Sequence, residues 1–402
     1  MKQTILKNAA FLLCFIILFL SLTGCAEKLP EEVLQSQSHY ENRVKGIKMS
    51  QVTCWDNYIV HNIDFGGVYN RSTGEMQVSF CEDIECDGLC FLEQGPLYVY
   101  HVADGQIYFV VREKNMTHYC RKDIITGNVH VYFTLNDKEV IATRDMYMDE
   151  SNLYYPKKCL IEGGNPDDPN DYQLYIYRMD ADGSNNEMVY KMRDNTEFLW
   201  FVDNGILYTQ WQMKLYQIDL ATTECREFFD LWAEGFTGVS EAQYIDGKFY
   251  FSYCAQDWWI AAPNGQTLPS MKIVCVDVES GEWKYLLDVG VATYCITNDK
   301  IYFVPFEITQ WNDPSVYAPN GENAKYSSSA PRLYMCDLNG ESIRLVWEEE
   351  KKTILLQEYT VVDQVLYGWV SFFDEEKNQN DPRQFVEIKL ETGDIIPATV
   401  LH

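Results

Sequence analysis

Short apolar, aromatic-rich runs separated by tight turns recur along most of the chain. The strongest unit is an apolar strand, a turn at Asp, then an aromatic strand. It reads WDNYIV at 55–60, ADGQIYFV at 103–110 and VDNGILY at 202–208, with a looser copy, MDESNLYY, at 148–155. It continues as IDGKFYF at 245–251, NDKIYFV at 298–304 and VDQVLYG at 362–368. The Asp residues recur about every 51 positions, the spacing of propeller blades. A second hairpin follows each first one, with a turn rich in Asp, Thr, Asn and Gly. Its copies are YNRSTGEM (69–76), RKDIITGNV (121–129), YRMDADGSN (177–185), YQIDLATTE (216–224), VCVDVESGE (274–282), YMCDLNGES (334–342) and EIKLETGDI (387–395). Asp-Gly and Asn-Gly supply the positive φ that tight hairpins need.

Two hairpins per period make four strands per unit. The pattern therefore predicts an all-β chain: a seven-bladed β-propeller of four-stranded antiparallel blades, with six or eight blades as the alternative counts. Side-chain pattern supports this independently. In IYFVV (107–111) and KFYF (248–251) both strand faces are apolar, whereas a sheet with one wet face alternates. Cover on both sides is what neighbouring blades provide. A β-sandwich or two tandem β-domains would also show regular turns, but not one two-hairpin unit repeated seven times. The connection near residues 80–100 is unusually long.

Composition narrows the class. Apolar residues are 47% and aromatics 14%, enough apolar surface to offset ordering entropy, so disorder is excluded for most of the chain. The formal charge is −28, which leaves no basic surface for phosphates and argues against nucleic acid. At the N-terminus, Lys2 and Lys7 precede an apolar run from Ala9 to Leu20, the length of a signal core and short for a membrane span.

That run ends in Leu22-Thr23-Gly24-Cys25, which resembles a bacterial lipobox. The resemblance implies cleavage before Cys25 and transfer of a diacylglycerol to its thiol, with palmitate-class chains in the anchor. The expected organisation is 1–24 signal peptide, 25–45 lipidated Cys and flexible tether, and 46–402 propeller. The expected location is the extracytoplasmic face of the cell membrane, held there by lipid. An ordinary signal peptide or an uncleaved anchor that happens to end in Cys is the plainer reading of the same residues. The hairpin motifs themselves resemble propellers of the low-density-lipoprotein-receptor-related type and TolB-type repeats, and propeller lipoproteins of anaerobic gut bacteria. This likeness implies a fold; propellers host very different activities. The receptor group's Y-W-T-D string is missing here.

If the Asp turns and Gly turns share one face of the disc, the long connections at 156–173, 253–271, 305–332 and 369–384 share the other. Insertions gathered on one face often form a binding face. Trp258, Trp259, Trp311, Tyr317, Tyr326, Phe372 and Phe373 fall in these segments among Asp, Asn, Gln and Pro. Such rings stack on sugars or grip extended peptides; equally, they pack loops onto the rim.

Candidate chemistry is sparse. Removing Cys14 with the leader and Cys25 to lipid leaves eleven of 13 Cys, an odd scattered set and no disulfide framework. Cys120, Cys275, Cys295 and Cys336 fall in strands and read as small buried hydrophobes. Free thiols outside the cytoplasm suggest a reducing or anaerobic habitat. Cys81, Cys86 and Cys90 lack the paired spacing of a thiolate metal site. Asp167, Asp168 and Asp171 offer a weak cation loop, and DADGSNNE (180–187) reads as a turn. No metal, cofactor or catalytic residue is expected, and no nucleophile, zinc, Walker or Rossmann motif occurs. The leading expectation is a membrane-anchored binding or scaffolding propeller for a glycan or an envelope or secreted protein. The alternatives are a carbohydrate-active lyase or hydrolase with acids in the central funnel, and a structural component of an envelope complex.

Overall fold

The computed structural model describes residues 45–46, 52–61, 67–77, 98–103, 105–113, 115–123, 126–136, 138–139, 146–149, 152–236, 239–261, 267–287, 290–305, 332–349, 354–374, 379–380 and 383–401. All lie in one unit, Glu41–His402. The leader, Cys25, the Cys81–Cys86–Cys90 group, Trp311, Tyr317 and Tyr326 lie outside the described residues.

Seven four-stranded antiparallel blades form a ring. Blade 1 comprises Val52–Trp55, Tyr58–His61, Gly67–Asn70 and Glu75–Gln77. Blade 2 comprises Tyr98–Ala103, Gln106–Glu113, Met116–Asp123 and Val129–Asn136. Blade 3 comprises Tyr147–Asp149, Asn152–Leu160, Tyr172–Asp180 and Glu187–Lys191. Blade 4 comprises Phe198–Asp203, Ile206–Trp211, Lys214–Asp219 and Cys225–Asp230. Blade 5 comprises Ser240–Ile245, Lys248–Ala261, Thr267–Asp277 and Trp283–Tyr285. Blade 6 comprises Val291–Ile296, Lys300–Pro305, Arg332–Asp337 and Arg344–Glu348. Blade 7 comprises Ile354–Val362, Val365–Asp374, Gln384–Lys389 and Ile395–Pro397. First strands of successive blades touch from blade 1 through blade 4, and again from blade 6 through blade 7 to blade 1. First strands therefore line the axis.

Among the described residues three strands go beyond this plan, and one of them, Gln379–Asn380, pairs with the end of Val365–Asp374. Lys45–Gly46 pairs with Tyr244 and Gln243 on the free inner edge of blade 5. Thr399–Leu401 runs parallel to Glu75–Gln77 as a fifth strand on the outer edge of blade 1. The C-terminal strand thus crosses from blade 7 and closes the ring.

The core lies between blades, and strand alternation divides it. Ile107, Phe109 and Val111 pack with Val60 and Val68 of blade 1. Their neighbours Tyr108 and Val110 pack with Leu153, Tyr155 and Met179 of blade 3. In the same way Phe249 and Phe251 join the blade 4 cluster, while Tyr250 joins the blade 6 cluster. Each such ring contributes about 2–3 kcal/mol on burial, which explains why both strand faces had to be apolar.

Because consecutive strands are antiparallel, the first-to-second and third-to-fourth turns share one face, here the turn face. The second-to-third connections and the links between blades share the other, the loop face. The Asp of the first turn occupies two registers rather than one. Asp56, Asp246 and Asp363 are turn residues with φ near 50°, whereas Asp149 and Asp203 are the last strand residues, paired with Asn152 and Ile206. In the second turn the Asp side chain accepts turn N–H groups. Asp277 Oδ1 accepts from Glu279 N at 3.1 Å and Ser280 N at 2.9 Å, and Asp219 Oδ1 from Ala221 N at 2.7 Å. The closing residue of these turns is left-handed, Gly281 at φ 73° in blade 5 and Thr223 at φ 62° in blade 4.

Two segments that read as loops are hairpin extensions. In blade 5, Trp259 pairs with Pro269 and Ala261 with Thr267. In blade 7, Trp369 pairs with Phe385 and Phe373 with Asn380. Cys120, Cys275, Cys295 and Cys336 are buried as expected, and Cys54, Cys120, Cys159, Cys225, Cys275 and Cys336 form no disulfide. Among the described residues the only helical element is the 3₁₀ turn Pro169–Asp171, and no helix is long and apolar enough to cross a membrane.

Candidate functional site

The two faces of the disc are used differently. On the turn face, side chains of one blade reach the turn of the next. Tyr132 Oη donates to Ala181 O at 2.5 Å, joining blades 2 and 3. Gly205 N donates to Asp149 Oδ2 at 2.8 Å, joining blades 3 and 4. Arg226 donates to Val278 O at 2.8 Å and Glu279 O at 3.0 Å, joining blades 4 and 5. Lys284 Nζ donates to Asn339 O at 2.8 Å and Tyr250 Oη to Leu338 O at 3.0 Å, joining blades 5 and 6. These polar groups are committed to holding the ring.

The loop face carries a cleft of about 300 Å³ between blades 2 and 3, at the lower end of volumes that hold small ligands. Its origin is a mismatch of strand lengths. The first strand of blade 3 has three residues and pairs the second only from Asn152 to Tyr154. The second strand runs on to Leu160, paired on its other side with the third strand. Its upper inner edge is met by the segment leaving blade 2, where Lys158 N donates to Glu139 O at 2.9 Å. Lys138, Glu139, Lys157, Lys158, Cys159 and Tyr172 line the space.

Three lysines thus converge in a chain of net charge −28. Lys157 Nζ lies 3.0 Å from Glu139 Oε1, and Lys138 Nζ lies 2.9 Å from Asp167 Oδ1. The hydrogen bond and charge of Asp167 hold the Lys138 ammonium above its ordinary range, and the same contact holds the Asp167 carboxyl below its own. Among the described residues Lys158 has no acidic partner, and its side chain is half-buried. Cys159 Sγ lies 3.6 Å from Tyr177 Oη, a contact that, with burial, pushes the Tyr177 phenol up to about 12. The Tyr172 hydroxyl is turned onto Pro166 O at 3.0 Å, so its ring is what remains for the cleft. Leu160 and Ile161 form an exposed apolar lip. The arrangement offers cationic and apolar contacts to one small anionic group.

The expected aromatic residues are placed otherwise. Trp258, Trp259 and Phe373 lie on the extended hairpins of blades 5 and 7 and are described by backbone alone. Phe372 is half-buried against the core between blades 6 and 7. Asp168 Oδ1 accepts from Asn170 N at 2.9 Å and Asp171 Oδ2 from Asn165 N at 2.7 Å, so with Asp167 these acids shape the loop. No group of three metal-ligating side chains occurs among the described residues.

Two loop-face features had been missed. Trp232, in the turn leaving blade 4, is 72% exposed, the most exposed large apolar side chain among the described residues. Glu197, in the link from blade 3 to blade 4, is fully enclosed. It accepts from Arg193 Nη1 at 2.5 Å, Arg193 N at 2.7 Å, Thr209 Oγ1 at 2.9 Å and Tyr190 Oη at 3.2 Å. With its oxygens so engaged, Glu197 joins blades rather than facing a substrate. The Arg193 guanidinium lies 4.1 Å from the Tyr216 ring centre and 5.2 Å from that of Trp211.

No family model matches the chain, and no curated protein matches it. Among solved structures the chain is similar to the acylaminoacyl peptidase of Pyrococcus horikoshii, at 13% identity and TM-score 0.52, over 89% of this chain and 52% of that one. It is similar also to an acylaminoacyl peptidase in complex with Z-Gly-Gly-Phe-chloromethyl ketone, at 14% identity and TM-score 0.50, over 86% and 52%. TolB from Acinetobacter baumannii aligns at 14% identity and TM-score 0.38, over 88% of this chain and 79% of that one. The chain spans about half the length of the two peptidases. At these identities the likeness is one of fold alone, and the fold is a seven-bladed β-propeller.

Proposed function

We propose that this protein is a binding propeller, held by lipid at Cys25 on the outer face of the cell membrane, whose loop face recognises a glycan. The carrying observation is the contrast between the faces. Polar groups bridge neighbouring blades on both faces, but the loop face also holds a cleft with an aromatic ring, an apolar lip and a lysine that has no acidic partner among the described residues. A sugar presents the matching surfaces, an apolar ring face and polar edges. The exposed Trp232 adds a second aromatic surface on the same side. The leader pattern, with Lys2 and Lys7 before Ala9–Leu20 and Leu22-Thr23-Gly24-Cys25 after it, supports the anchor. Several acyl chains on one residue suffice for stable attachment.

The test uses the full-length protein in detergent on a glycan array. Saturable binding without turnover is expected, and turnover of an arrayed glycan would replace the binding role with catalysis. Cys25→Ser should move the protein from the membrane pellet to the soluble fraction. Retention in the pellet would remove the anchor.

A further inference from the structure

We infer that the cleft between blades 2 and 3 is a subsite for an anionic saccharide, with Lys158 contacting the sugar's carboxylate or sulfate. The inference rests on the loop-face reading above and names its ligand class. Three observations converge. First, the chain holds 32 basic residues against 60 acidic ones, yet three lysines from two blades meet in this one space. Second, their pairing is incomplete. Lys157 and Lys138 each have an acid at about 3 Å, while Lys158 has none among the described residues. A half-buried lysine with no acidic partner among the described residues can donate to an incoming anion, and partial burial strengthens the pull of an opposite charge. Third, the rest of the lining is suited to a ring. Tyr172 has its hydroxyl tied to Pro166 O, and Leu160 and Ile161 are exposed beside it. An extended acidic peptide would leave this apolar lip uncovered, and the volume of about 300 Å³ fits a single ring with its substituents.

The Asp167–Lys138 pair gives the site a second handle. Both groups are largely exposed, so their mutual attraction is weak and an arriving anion competes with Asp167 for the same ammonium. Removing Lys158 and removing Asp167 should therefore act in opposite directions.

The test measures binding of three sugars to the full-length protein in detergent. They are a hyaluronan hexasaccharide, which carries carboxylates without sulfate, a sulfated dextran oligomer, and neutral cellohexaose. At least one charged probe should bind at least tenfold more tightly than cellohexaose, and the pair of charged probes separates carboxylate from sulfate. Lys158→Ala should weaken that probe at least tenfold, Lys158→Arg should restore most of it, and Asp167→Asn should tighten it several-fold. Lys191→Ala, an exposed lysine on the outer strand of blade 3, should change nothing. Bound probe should also slow alkylation of Cys159, followed by mass spectrometry. Equal binding of cellohexaose, unaffected by Lys158→Ala, would overturn the anion subsite and leave the glycan-binding role standing. Cys159 alkylation unchanged at saturation would place the ligand elsewhere and overturn the subsite alone. Absence of binding by all three sugars, or tighter binding of an oligoglutamate peptide, would overturn the saccharide assignment.

Discussion

Arg71 and Asp363 stand 292 positions apart and meet at 2.8 Å, joining the turn face of blade 1 to that of blade 7. The two partners are unequal. Asp363 is 69% exposed, whereas Arg71 is 17% exposed. Arg71 also donates from Nε to Tyr367 Oη at 3.0 Å and from Nη1 to Asp56 O at 3.2 Å, and its guanidinium lies 5.3 Å from the Tyr367 ring centre. Asp363→Asn removes the surface ion pair while keeping a side chain that tolerates the left-handed backbone, and should cost less than about 1 kcal/mol. Arg71→Ala leaves a blade junction short of three donated hydrogen bonds and a packed side chain, and should cost about 2–3 kcal/mol. Urea unfolding of both variants checks this; equal losses would mean that the ion pair alone ties the blades.

The C-terminal strand closes the same junction from the rim. Thr399 N donates to Gly74 O at 2.9 Å, and Thr399, Val400 and Leu401 pair in parallel with Glu75, Met76 and Gln77. Thr399→Pro deletes the donor and should lower stability by about 1–2 kcal/mol. Hydrogen exchange should rise first at Glu75–Gln77. Unchanged protection there would show that blade 1 holds its outer edge without the added strand.

Thr223 fills a left-handed position that glycine takes in blades 1, 2, 5 and 7. Its φ is 62°, against 73° at Gly281 and 75° at Gly393, and all three donate N–H to the residue four positions back at 2.8 Å. A β-branched residue in this region is strained by about 1–2 kcal/mol. Glycine relieves that but loses more chain entropy on folding, about 0.5–1 kcal/mol. Thr223→Gly should therefore raise stability by about 0.5–1 kcal/mol, seen as a small rise in Tm. A fall in Tm would mean the Thr side chain contributes contacts that outweigh the strain.

The blades were legible in the chain because their physics is local. A run such as Ile107–Val111, apolar on both faces, requires sheets on both sides, and Asp-Gly turns set the hairpins. The extra strands were not legible. Thr399–Leu401 is three residues long and gains its place only from a partner more than three hundred positions away. The blade 5 extension was readable in principle, since Asn264-Gly265 between apolar runs is a hairpin signal, but the proline and amide content read as a loop. The cleft lysines were missed for a similar reason. Lys138 follows blade 2 while Lys157 and Lys158 sit in blade 3, and the only local signal was the Lys157-Lys158 pair in so acidic a chain.

Acid should loosen the turn face before it reaches the cores. Backbone N–H groups of Thr222 and Ala221 hold the Asp219 carboxyl below 3.8, its ordinary value. Backbone and side-chain bonds from Ser280 do the same for Asp277, and the Glu341 and Asn339 N–H groups for Asp337. A carboxyl whose folded pKa is depressed contributes its full stability above the unfolded value and loses it as pH falls through the folded one. Thermal stability should therefore begin to drop below about pH 5 and keep falling below 3.8, as pH passes through the depressed folded values. Asn preserves the accepting oxygen without the proton, as Asn70 does in blade 1, where Ser72 N donates to its Oδ1 at 2.9 Å. A combined Asp219→Asn, Asp277→Asn and Asp337→Asn protein should show a shallower fall. An identical acid limb would assign the loss to other carboxyls.

Glu197 separates a structural carboxylate from a catalytic one. Its side chain is fully enclosed and takes bonds from Arg193, Thr209 and Tyr190, which come from two blades. Burial and the Glu197 charge, in that order, raise the Tyr190 phenol above its ordinary value. Glu197→Ala strands the Arg193 guanidinium beside an empty space and should cost about 3–5 kcal/mol. Glu197→Gln keeps part of the hydrogen bonding and should cost less. Sugar binding well below the lowered Tm should survive in the Gln variant, because Glu197 has its oxygens turned to protein donors rather than to ligand. A Gln variant with native Tm but no sugar binding would place Glu197 in contact with ligand and reverse that assignment.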